Sequence, residues 1–150
     1  MSIKNRLRVS KNGGNMMKLA KHIIFVSGSD LSVHHLQKIM YFAIVEYIKE
    51  KGVDRKIKKV YDSEFEAWDY GPINREVYIL HRYGKICGEY EQKLSFLDLY
   101  IKKYAKEEKF FLVEKSQKSK VWKDNKKAIL SRKKVVFYTI EDLSEDSAIL

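Results

Sequence analysis

The stretch "SVHHLQKIMYFAIVEYIKEKG", Ser32 to Gly52, commits the chain to at least one long helix. Leu36, Ile39, Met40, Ala43, Tyr47 and Ile48 share one broad face at helical spacing. Ser32 is placed to cap its N-terminus, and Gly52 follows Lys51 where a left-handed residue ends a helix. A shorter helix precedes it, since Met16, Leu19, Ala20, Ile23, Ile24 and Val26 repeat at three and four before "SGSD" at 27–30 breaks the pattern.

After Gly52 the period changes. In "FEAWDYGPINREVY", Phe65 to Tyr78, residues Phe65, Ala67 and Asp69 alternate with Glu66, Trp68 and Tyr70, which predicts a short strand near 64–68. Gly71 and Pro72, the only proline of the chain, predict a turn, and Ile73, Val77 and Leu80 a short helix ending at Gly84. Tyr90, Leu94, Leu97, Ile101 and Tyr104 predict a further helix from about Glu89 to Glu108, and "DNKKAIL" at 124–130 another. "VVFYTI" at 135–140 is the best strand outside the opening motif. The sum is a mainly α-helical α+β domain with a small antiparallel sheet.

At 150 residues and 45% hydrophobic, one domain is expected: a flexible leader over 1–15, a single domain over 16–140 and an acidic tail over 141–150. The apolar run "HIIFV" is far short of the roughly 18 residues of a membrane span. Cys87 is the only cysteine and suits a reducing compartment, so the cytoplasm is expected.

The net charge of +10 is unevenly spread, with +4 on residues 1–15, +8 on 115–134, −4 on the last ten and only +2 on 16–114. Lysine outnumbers arginine 24 to 6, whereas bidentate phosphate recognition favours arginine. The charge is therefore weak testimony for a nucleic-acid partner. A phosphate site would need Lys118, Lys120, Lys123, Lys126, Lys127 and Arg132 on one face beside Trp122.

Reactive constellations are thin. Cys87 and His81 lack a third, orienting residue, and a structural cysteine is the better reading. His34 and His35 are neighbours whose side chains diverge by roughly 100° on a helix. Asp62, Glu64 and Glu66 alternate as a solvated face would, and phosphate-binding and nucleophile-elbow motifs are missing from the sequence. No catalytic, cofactor or metal residue is assigned, and an enzyme is not expected. Trp68 and Tyr70, large rings on a stiff mount, suit either a core plug or an interface anchor.

Two blocks, "LQKIMYFAIVEYIKEKG" at 36–52 and "FEAWDYGPINREVY" at 65–78, resemble the Panacea domain, the SocA-like antitoxin family also met in phage-associated proteins. Leu36, Gln37, Lys38, Tyr41 and Ala43 fall on its first hallmark; Phe65, Ala67, Trp68, Tyr70, Gly71, Pro72, Val77 and Tyr78 fall on its second. The likeness spans residues 17–84, departs at Ile39, Met40, Ile73 and Asn74, and fades beyond 85, where Trp122 is a loose counterpart. It implies a cytoplasmic, toxin-neutralising protein that binds a co-encoded toxin, directly or by presenting it to a protease. Partner binding or scaffolding then falls to Leu36, Lys38, Tyr41, Glu66, Trp68, Tyr70, Gly71, Pro72 and Tyr78. The competing expectation is a nucleic-acid-binding regulator using residues 115–134.

Overall fold

The computed structural model describes residues 14–28 and 30–150, so most of the expected leader lies outside the described residues. Gly14 and Asn15, read with that leader, open helix α1, Gly14–Ser27. Its first amides are capped from a distance: the Asp62 carboxylate accepts from Asn15 N at 2.8 Å and Met16 N at 3.2 Å.

Helix α2, Val33–Lys51, is the central element. The Ser32 hydroxyl accepts from His35 N at 3.2 Å, and Gly52, at φ 77°, closes the other end by donating to Ile48 O. The expected face is buried, and so are Gln37, Lys38, Tyr41 and Phe42 around it, because other elements cover α2 on several sides. Helix α3, Arg55–Val60, is capped by Asp54, which also accepts from the Tyr47 hydroxyl.

Strands β1, Glu66–Trp68, and β2, Gly71–Ile73, pair antiparallel with Glu66 opposite Ile73 and Trp68 opposite Gly71. The turn therefore sits at Asp69 and Tyr70, and Gly71 and Pro72 belong to the second strand. The two turn residues keep negative φ, and the left-handed step falls on Gly71 at φ 100°. Pro72 lies opposite Ala67, whose N–H points away from β2 to Val136 O at 2.8 Å. The pair is thus not hydrogen-bonded, and the missing proline N–H costs nothing there.

Helix α4, Arg75–Arg82, begins with the Asn74 side chain accepting from Val77 N at 3.1 Å, and Gly84 follows its end. Ile73, expected on that helix, is strand. The single helix expected over 89–108 is broken into a 3-10 segment, Gln92–Leu97, and helix α5, Asp98–Ala105. Residues 86–91 carry no helix and lie against α1, with Glu89 N donating to Lys21 O at 3.0 Å.

Helices α6, Lys109–Ser116, α7, Lys120–Asp124, and α8, Lys126–Ser131, follow, the last of them on the expected "DNKKAIL" segment. "VVFYTI" makes one bridge, Phe137 to Glu66, in place of the expected strand. Thr139 at once caps helix α9, Ile140–Ile149, in a reciprocal box with Asp142. All of the acidic stretch 141–150 but its last residue lies in this helix, which packs on α2 through buried Leu143 and Asp146. Asp146 accepts from the Tyr41 hydroxyl at 2.5 Å and from Lys120 N at 3.1 Å, and burial pushes its carboxyl up.

The protein is a mainly helical α+β fold with a small two-stranded antiparallel sheet. No helix among the described residues is long and apolar enough to cross a membrane.

Candidate functional site

The hairpin is held by two buried side chains of α2. Gln37 exchanges hydrogen bonds with the backbone of Asn74, donating to its carbonyl at 3.1 Å and accepting from its N–H at 2.7 Å. Lys38 donates to Pro72 O at 3.1 Å. Side chains thus stand where a third strand would pair with β2, and the two sequence blocks are one structural unit. Gly71 fits beneath this clamp only as glycine: an added Cβ would lie 2.2 Å from Ser116 Oγ and 3.0 Å from Lys38 Cε.

On the other side of β1 lies a cleft of about 630 Å³, lined by His34, Glu66, Trp68, Tyr70, Arg75 and Tyr78, with Ile129 and residues 132–135 forming the far wall. Glu66, only 3% exposed, organises its floor. It accepts from Arg75 Nε at 2.9 Å, from Arg75 Nη2 at 2.8 Å and from Trp68 Nε1 at 3.1 Å. The Arg75 guanidinium is held in its charged form chiefly by these bonds, and the Trp68 ring is fixed by its own N–H.

The rings meet edge to face. Trp68 and Tyr78 centroids are 4.9 Å apart at 60°, and His34 and Tyr70 are 5.2 Å apart at 84°. Burial, with Lys38 and Lys109 nearby, lowers the His34 pKa to about 4, so the imidazole is neutral near pH 7. Tyr70 is 55% exposed, whereas Trp68 and Tyr78 are half-buried.

The nine motif residues therefore separate. Leu36, Lys38 and Tyr41 are buried on α2, Gly71 and Pro72 are buried within β2, and Glu66, Trp68, Tyr70 and Tyr78 line the cleft. Trp68 serves as both wall and scaffold, its carbonyl accepting from Trp122 Nε1 at 2.9 Å. The far wall, Ile129 to Val135, was not assigned from sequence to this motif; only its positive charge marked it. Arg75 could have been suspected from its opposite charge across the hairpin from Glu66.

Trp122 is only 6% exposed, with its ring N–H engaged, and offers no open stacking platform. Several cations of 115–134 are committed elsewhere: Lys115 lies over the Phe42 and Tyr104 rings, Lys120 pairs with Asp124, Lys126 lies over Trp122, and Arg132 reaches Asp69 at 3.4 Å.

The carboxylates Asp62, Glu64 and Glu66 do not act together, since Asp62 caps α1 and Glu66 holds Arg75. Among the described residues no group of His, Cys, Asp and Glu is placed to hold a metal, and Cys87 is exposed as a free thiol. One histidine–carboxylate pair escaped sequence reading. Buried His22 lies 2.6 Å from Asp98 through Nε2, and its Nδ1 accepts from Glu91 N at 3.0 Å. Both ring nitrogens are occupied, so the imidazole ties Glu91 and Asp98 to α1 and has no lone pair to offer a substrate. Compared with protein-family models, curated proteins and solved structures, the chain finds no match.

Proposed function

We propose that the chain is a protein-binding module of the toxin-neutralising kind, which docks its partner on the cleft beside β1. The carrying observation is the mounting of the rings. Trp68 and Tyr70 stand on a hairpin clamped from behind by Gln37 and Lys38 and from within by Glu66 and Arg75, and Tyr78 packs on Trp68 from helix α4. Rigid aromatic surface loses little conformational freedom on binding, which is what makes such rings anchors at protein interfaces.

The likeness of the two motif blocks to the Panacea domain supports a toxin as the partner. Neutralisation by occlusion needs affinity and no chemistry, and a protease joins only where the toxin is handed on for degradation. The protein would then act in the cytoplasm and not as an enzyme.

Co-expression with the product of the adjacent open reading frame tests the reading. Growth arrested by that product should be restored by this chain, and the two should co-elute in gel filtration. Tyr70→Ala combined with Tyr78→Ala should lose both effects. Arrest that persists, with no complex, would sink it.

A further inference from the structure

We infer that the cleft selects an acidic segment of its protein partner, one in which a bulky apolar side chain is flanked by carboxylates. This rests on the protein-binding reading above and adds the chemistry of what is bound. The shape comes first. Rings crossed at 60° and 84° form an angular floor that receives an apolar side chain from above, and neither pair is the parallel clamp that would grip a nucleobase on both faces. A volume of about 630 Å³ lies within the range of sites that enclose a compact ligand, enough for such an anchor and its flanking backbone.

Charge then decides the flanks. The acids of the cleft are already held, Glu66 by Arg75 and Asp69 by Arg132. Lys133 and Lys134 are exposed in the far wall, with no carboxylate at ion-pair distance among the described residues. Neutral His34 adds nothing to the balance near pH 7. The cleft therefore carries two unmatched positive charges above an apolar floor. A lysine-rich segment would be repelled, and an uncharged one would forgo the complementarity that steers association and fixes register.

Fluorescein-labelled peptides of about twelve residues test this against the full chain. One has a Phe-Leu centre flanked by Asp and Glu, the second carries Asn and Gln in those flanks, and the third carries Lys. Fluorescence polarisation at two salt concentrations should show the acidic peptide bound about tenfold or more tighter than the amide peptide, an advantage that shrinks as salt rises. The lysine peptide should not bind. Lys133→Glu with Lys134→Glu should erase the acidic preference at an unchanged melting temperature, because both side chains are exposed.

Equal affinity for acidic and amide peptides, or a preference that survives the double reversal, would overturn the inference. So would a single-stranded oligonucleotide that displaces the acidic peptide at lower concentration. A co-expressed neighbour whose complex is indifferent to the reversal would overturn it too, while leaving the protein-binding reading intact. Acidic selectivity in a chain that neutralises no neighbour would uphold the cleft's preference and remove the antitoxin reading.

Discussion

The two sides of the β1–β2 hairpin use polar side chains to opposite ends. Behind it, Lys38 is fully buried and donates only to a backbone carbonyl, and Gln37 is spent wholly on Asn74. In front, Glu66 and Arg75 close a bidentate pair beneath rings that remain open to solvent on one side. The rear fixes where the strand runs and the front fixes where the rings stand. Substitutions behind the hairpin should therefore be read in stability, and substitutions in front in binding.

Gly71→Val is the most severe challenge to that division. It combines a left-handed backbone with a Cβ that would sit 2.2 Å from Ser116 Oγ, and a loss of about 3–5 kcal/mol or outright failure to fold is expected in thermal and denaturant melts. Pro72→Ala should cost about 1 kcal/mol, mostly by freeing the unfolded chain. Lys118→Ala removes an exposed charge and should stay within about 0.5 kcal/mol. Equal effects from the three would show that the rear of the hairpin sets nothing.

Lys38 gives the rear a pH signature. Burial lowers its pKa to about 7, against an ordinary value of 10.5. The unfolded chain thus binds more protons than the native one between those values, and the charge penalty is greatest below pH 7 and recedes as pH rises toward 10. Lys38→Met removes the buried charge but also the donor to Pro72 O, so the sign at a single pH is set by both. Relative to the native protein, the variant should be at its most stable near pH 6 and lose ground steadily by pH 9.5. Melts across that range check it. A difference between variant and native protein that does not change with pH would mean that the lysine is not buried in its charged form.

Much of the frame was legible because its signals are local. Ser32 and Gly52 bracket α2 within the reach of single side chains and single φ angles, and the change of period at Phe65 marks β1. The broken helix at 89–108 was not legible. Gly88 lies against α1, where an added Cβ would meet Phe25 N at 3.0 Å, and His22 takes the Glu91 amide; both contacts come from residues about 65 positions away. "VVFYTI" failed as a strand because β1 offers it only a short edge and the Thr139 cap starts a helix immediately. Of the cleft, the hairpin wall could be read as a motif. The wall from Ile129 to Val135 could not, because nothing local says that α8 returns to β1.

Glu66→Gln tests the join between the two sides. The amide cannot accept from both arms of Arg75 and from Trp68 Nε1 as the carboxylate does, and a loss of about 1–2 kcal/mol is expected, tempered by the half-exposed guanidinium. With the amide oxygen at the Oε1 position the Trp68 bond is kept and the Arg75 Nε bond is lost, so the guanidinium beside the rings loosens and partner affinity should fall with stability. Affinity that holds while stability drops would place the partner away from this floor.

The smallest structural effect should accompany a large functional one at Tyr70. Its ring is 55% exposed at the hairpin turn and touches the frame chiefly through His34, so Tyr70→Ala should shift stability by no more than about 0.5 kcal/mol. As an anchor it should cost the complex about tenfold or more in affinity, read by titration calorimetry with the purified partner. Tyr83→Ala is the matched control, since Tyr83 is 70% exposed but lies outside the cleft. If the two substitutions weaken the complex equally, exposed tyrosine surface in general is responsible and the mounting on the hairpin has no special part. If Tyr70 alone weakens it while both variants melt together, the front of the hairpin is separated from the rear by measurement.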